Sequence, residues 1–155
     1  MTQTRDNDLF ALAYGRRYGL RMIRFYTHVI TLSTFIELLA ASAAIATLIG
    51  GIPQTSAWAA ATVALATIAR RVLRPEDQRA RCTILNDRYA RAIAAERTLS
   101  DDALHQLVQE LQSSDAPDIE ALRNPVWNDV VQEMGHFKTQ LCTLTLKERG
   151  MSLLA

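Results

Sequence analysis

A chain of 155 residues has room for one domain, or for a membrane segment with a small aqueous appendage. Its averages, 49% apolar and 21% charged with a formal net charge of +1, describe an ordinary globular protein, but neither the apolar residues nor the charges are evenly spread. Residues 98–155 hold nine acids against four bases, which argues against a nucleic-acid polymer as partner, whereas residues 70–97 hold eight arginines against four acids.

Residues 8–24 place Leu9, Phe10, Leu12, Ala13 and Leu20 beside Arg16, Arg17 and Arg21. This pattern predicts a helix that leads into the first apolar run and lies against a membrane surface or against the aqueous helices. Tyr14, Tyr18 and Tyr26 are expected to anchor it at the interface. From Phe25 to Ala69 there are 45 residues, and Glu37 is the only one with a formal charge. A helix crossing a bilayer needs about 20 predominantly apolar residues. The run starts after a polar lead and far exceeds the ~7–15 residues of a signal-peptide core, so an uncleaved signal anchor is expected.

Gly50, Gly51 and Pro53 break the run and predict two antiparallel helices, over about 27–49 and 54–72. A soluble helical hairpin would need a polar face on each helix, and neither segment has a charged one. The second helix, rich in alanine, is the weaker span and should insert with the first. Arg16, Arg17, Arg21 and Arg24 precede the first span, Arg70, Arg71 and Arg74 follow the second, and the turn between them is uncharged. Basic flanks stay cytoplasmic, so both termini are expected there.

Glu37 is the exception inside the apolar run. Counted along the first helix, at 1.5 Å per residue, it falls about 18 Å from Phe25 and about 20 Å from Gly50, near mid-bilayer. Mirrored through the turn, it falls level with Ala66 or Thr67, in the cytoplasmic half, and Arg70-Arg71 marks that boundary more sharply. An ionised acid facing lipid is costly, so Glu37 should turn inward. Ser33, Thr34, Ala40, Ala41 and Ala44 share its face, and Ala57/Ala61 and Ala60/Ala64 offer small-residue seams on the second helix. Three readings stay open: a tie from Glu37 to Arg70 or Thr67 that locks the hairpin, a seam between several copies, or a proton or ion relay. Two helices cannot enclose a water path, so the last two require an oligomer.

Pro75 predicts the start of a further helix with Cys82, Leu85, Tyr89, Ala92 and Ile93 along one stripe. Arg74, Arg81 and Arg88 recur every seven residues beside it, either as a solvated or lipid-facing basic face or as candidate ligands of a phosphate or nucleotide, since arginine suits bidentate phosphate contact. Ser100 caps the next helix, with Leu104, Leu107, Val108 and Leu111 buried. Residues 113–117 read as a linker. Pro125 is expected to open a last long helix whose stripe runs through Trp127, Val130, Val131, Met134, Leu141 and Leu144. Gly150 should end it, leaving a loose tail. Cys82 and Cys142 are expected to be free reduced thiols. His28, His105 and His136 do not fall at metal-binding spacing, and no catalytic constellation or phosphate loop is present, so neither an enzyme nor a cofactor is expected.

The order and texture of residues 8–97 resemble the SLATT-type two-transmembrane effectors of bacterial conflict and antiphage systems: "YGRRYGLRMIR", two spans around "GGIPQ", then "RPEDQRARCTILNDRYARAIAAE". The arrangement is similar as well to two-span CRISPR-associated membrane effectors that sense cyclic oligoadenylate through a cytosolic domain. The resemblance implies an oligomer that permeabilises or depolarises the inner membrane when a cyclic nucleotide or protein signal arrives. The expectation is therefore an all-α protein: residues 1–26 a cytoplasmic or interfacial helix, 27–72 a transmembrane hairpin, 73–155 a helical cytoplasmic domain. The alternative is a passive membrane adaptor that recruits a soluble partner through its acidic helical tail.

Overall fold

The computed structural model describes residues 3–49, 53–114, 117–135 and 141–155. The described residues form six α-helices and no strand: α1 (Gln3–Ile49), α2 (Pro53–Leu73), α3 (Pro75–Ala95), α4 (Asp101–Gln112), α5 (Glu120–Glu133) and α6 (Leu146–Leu154). They divide into two compact units, one of Met1–Phe25 with Arg79–Ala155 and one of Tyr26–Gln78. The N-terminal segment thus shares a unit with the C-terminal helices. The expected turn at Gly50-Gly51-Ile52 lies outside the described residues.

The unit of Met1–Phe25 and Arg79–Ala155 is built around a buried apolar core. Leu12 of α1, Tyr89 and Ala92 of α3, and Leu104, Val108 and Leu111 of α4 form a buried cluster. Each fully buried leucine contributes about 1.5–3 kcal/mol relative to exposure. Two glycines on α1 let α3 come close. A methyl group on Gly15 would meet the ring of Tyr89 at 2.3 Å, and one on Gly19 would meet Asn86 at 3.3 Å. Ser100 caps α4, its hydroxyl accepting from the Ala103 amide. Arg5 donates to the carbonyl oxygen of Glu96 at 2.7 Å, just beyond the end of α3, and pairs with Asp101 at the start of α4. One side chain thus serves a helix end that leaves carbonyls unpaired and another that favours an acid.

Tyr14 and Tyr18, expected at a membrane interface, instead join this bundle. Phe10, Tyr14 and Tyr18 recur every four residues along α1. Phe10 meets Trp127 of α5 edge-on at 4.8 Å, and Tyr14 stacks near Tyr18 at 6.0 Å. The Tyr18 hydroxyl donates to Asp118 at 2.7 Å and accepts from the Ile119 amide at 2.6 Å, which serves the uncapped start of α5. Arg21 and Arg17 both reach Asp129 of α5, Arg21 at 2.6 Å.

The C-terminal part departs from expectation in three places. α5 opens at Glu120, five residues before Pro125, because Tyr18 and Asp118 organise its first turn and the proline then forfeits a single ladder bond. It stops at Glu133 because Gly135 adopts φ +70°, the left-handed conformation that ends helices, so Leu141 and Leu144 lie in a non-helical segment and not on its stripe. Gly150 does not end the pattern. It sits inside α6, which Thr145 and Glu148 nucleate by a reciprocal capping box. Asn128 grips the backbone of Cys142 through both its carbonyl oxygen and its amide, and Asn124 donates to Glu148 at 2.7 Å.

Asp118 is expected to give this bundle an acid dependence. The Arg123 guanidinium, and then the Tyr18 hydroxyl, hold its carboxyl below the usual carboxylate range. Burial raises the Tyr18 phenol, which keeps it a neutral donor. A carboxylate with a lowered folded pKa stabilises the fold fully above its unfolded value, about pH 4, and that contribution is lost as pH falls through the folded value. Asp118→Asn is expected to flatten the loss of thermal stability below about pH 4 while leaving its pH dependence near neutrality unchanged. An identical acid limb in wild type and variant would refute the assignment.

Candidate functional site

The unit of Tyr26–Gln78 is organised the opposite way. Its large apolar side chains face outward: Phe35, Leu38 (63% exposed), Leu39, Ile45, Trp58 (78%), Leu65, Ile68 and Val72. Its charged pair is half-buried, with Glu37 25% and Arg70 30% exposed. α1 is long and apolar enough, over Thr4–Ala43, to cross a membrane, by length and composition. Among the described residues α1 is the one helix that meets both conditions; α2, 21 residues and about 32 Å long at 1.5 Å per residue, matches a hydrocarbon core of about 30 Å in length alone.

Six hydroxyls among the described residues of this unit are satisfied locally. Thr31, Ser33, Thr34 and Ser42 on α1, and Thr62 and Thr67 on α2, each donate to the carbonyl four residues earlier, at 2.8–2.9 Å. That arrangement leaves none of these six hydroxyl donors searching for water, which suits a low-dielectric surrounding.

Of the residues singled out from sequence, the structure brings three together. The Arg70 guanidinium donates through Nη1 to Glu37 Oε2 at 3.3 Å and to Thr34 Oγ1 at 3.3 Å. Through Nε it donates to Glu76 Oε1 at 2.6 Å. Ser33 and Thr67 lie outside this cluster, spent on their own backbone. Glu76 is the member that sequence reading missed. It stands in the first turn of α3, where a backbone amide and then Arg70 hold its carboxyl below the ordinary range. The signal for it was the six-residue spacing across Pro75. On the Glu37 face Ala40 is buried, whereas Ala41 is exposed; the side chain of Ala44 lies outside the described residues. Ala57, Ala60, Ala61 and Ala64 are exposed too, so the expected seams do not pack within this unit. Arg70, Ala66 and Val63 are its half-buried face instead.

Between α2 and α3 the chain spends one residue. Arg74 sits at φ 42°, a left-handed conformation uncommon outside glycine, because the following Pro75 disfavours continuing α2 through it. Arg74, Arg81 and Arg88 are divided between the two units: Arg74 belongs to one and the other two to the second. Arg88 is engaged by Glu110 at 2.6 Å, and Arg81 is exposed. Among the described residues no cluster of histidine, cysteine, aspartate or glutamate could hold a metal ion. Cys82 is buried and Cys142 exposed, both free. No family model, no curated protein and no solved structure matches this chain.

Proposed function

We propose that this chain is an oligomeric effector of the bacterial inner membrane, with α1 from about residue 27 and α2 as a two-helix transmembrane hairpin and both termini in the cytoplasm. The observation that carries the reading is the inverted polarity of residues 26–78. Leucine, phenylalanine and tryptophan face out, while the carboxylate and guanidinium turn toward each other. In water such a surface is an aggregation liability, and in lipid it is the expected one. The exposed Ala57/Ala61 and Ala60/Ala64 seams suit close contact between copies, where packing replaces the hydrophobic effect. A pore requires several copies, because two helices cannot surround water. The helical bundle formed by residues 1–25 and 79–155 would receive a cytoplasmic signal, a cyclic nucleotide or a protein. Rearranged spans would then depolarise the membrane as antiphage defence.

Two measurements test this. Cys142 is exposed, so a membrane-impermeant maleimide should leave it unlabelled in intact spheroplasts and label it in inverted vesicles. Labelling in spheroplasts would refute the topology. Induced expression should collapse a potential-sensitive dye signal. A polarised, healthy cell in which the chain sits in the membrane and co-purifies one soluble protein would instead establish the adaptor.

A further inference from the structure

A cavity of about 220 Å³ opens in the bundle of Met1–Phe25 and Arg79–Ala155, between α1, α3 and the C-terminal end of α4. Well-packed cores leave few voids larger than a water molecule. An apolar cavity of about 150 Å³ already takes benzene, so this one has room for a bicyclic molecule of about ten heavy atoms. No aspartate, glutamate, lysine, arginine or histidine lines it among the described residues. Its wall is Leu85, Cys82 and the rings of Tyr14 and Tyr89. Gly15, having no side chain, lets the Tyr89 ring lie against α1. Burial lifts the Cys82 thiol to about 11, so it is a neutral, apolar part of that wall. Among the described residues, the Tyr89 hydroxyl and the Gln112 carboxamide make no hydrogen bond within the chain, although both residues line the cavity.

From this geometry we propose that the cavity binds a small, flat, uncharged aromatic molecule carrying one hydrogen-bonding group, which the Tyr89 hydroxyl meets. A charged ligand is disfavoured because, among the described lining residues, none carries a counter-charge and desolvating an ion is costly. A phosphate-bearing nucleotide is therefore not the occupant of this cavity. The inference concerns the bundle alone and does not depend on the membrane reading.

The test uses the full chain in phospholipid nanodiscs with 2-naphthol and naphthalene as probes, bound fractions being read by equilibrium dialysis. Ala11→Met and Cys82→Leu each fill the cavity from a different helix and supply the baseline for probe dissolved in lipid. The wild type should bind 2-naphthol saturably at one per chain above that baseline, and both filled variants should lose at least ten-fold. Tyr89→Phe should weaken 2-naphthol about five-fold and leave naphthalene unchanged, the scale of one neutral hydrogen bond. As a measurement that needs no substitution in the wall, alkylation of Cys82 in a Cys142→Ser chain should slow at least ten-fold under saturating 2-naphthol. Equal uptake by wild type and filled variants, equal weakening of both probes by Tyr89→Phe, or unchanged Cys82 alkylation would each overturn the proposal.

Discussion

Arg70→Ala is expected to deplete the membrane-inserted, detergent-stable protein more severely than any substitution of Glu37. The reason is an asymmetry in partners. Arg70 serves both Glu37 and Glu76, whereas among the described residues the one cation placed on Glu37 is Arg70. Removing the guanidinium strands a carboxylate among apolar side chains, where a mid-helix charge costs about 3 kcal/mol on insertion scales. Glu37→Ala leaves Arg70 with Glu76 and with the Thr34 hydroxyl, a milder loss. Glu37→Gln combined with Arg70→Gln should recover much of what Arg70→Ala destroys, since both charges then go together. Arg70→Lys should fall between, because an ammonium is a point charge that cannot reach two carboxylates through a fork. The measurement is the yield of chain in the membrane fraction together with its thermal aggregation temperature in detergent. A Glu37→Ala chain less stable than Arg70→Ala would show that the cluster is not organised around the arginine. If Glu37 also lies at a seam between copies, Glu37→Gln should keep toxicity that Glu37→Ala abolishes.

Gly15→Ala should destabilise the bundle by about 1–3 kcal/mol, the usual cost of overpacking a filled contact. The sign is informative, because glycine to alanine inside an exposed helix normally gains about 1 kcal/mol. Here the added methyl would stand 2.3 Å from the Tyr89 ring, which is itself buried, so ring or helix must move. Gly19→Ala is the matched control, since its nearest neighbour at 3.3 Å requires a shift of only a few tenths of an ångström. Thermal melts of the two variants should separate by several degrees. A double variant with Tyr89→Leu should lose less than the two single changes added together. A Gly15→Ala chain as stable as wild type would mean that α1 and α3 are not in contact at this glycine.

Much of the helical architecture could be read from residue spacing. The stripe of Cys82, Tyr89 and Ala92, the Ser100 cap and the buried face of Leu104, Val108 and Leu111 all repeat with a helical period and so announce themselves. The contacts of Glu37 and Arg70 were legible as one of several options, because an acid inside an apolar run must find a partner. What spacing could not give was long-range pairing. Nothing local says that Tyr18 would organise the start of α5 a hundred residues away, or that Asp8, buried, would sit 3.1 Å from His105. Pro125 was misread because a proline is tolerated past the first turn when tertiary contacts hold that turn. α6 was missed although Thr145 and Glu148 spell a capping box, since Gly150 carried more weight in the reading than it does in the fold. The arginines at 74, 81 and 88 share a period but not surroundings, which a periodic pattern cannot reveal.

The last fifteen residues are moored by polar side chains more than by grease. Leu146 and Leu153 stand almost wholly in solvent, and the polar attachment runs through Asn128 to the Cys142 backbone, Asn124 to Glu148 and Arg21 to Ser152. A segment held this way should detach as a unit at a free energy well below global unfolding. Its amides would then trade hydrogen for deuterium sooner than those of α4, and a protease would trim it from an otherwise intact bundle. The C-terminal segment is therefore expected to open before the α4 core does.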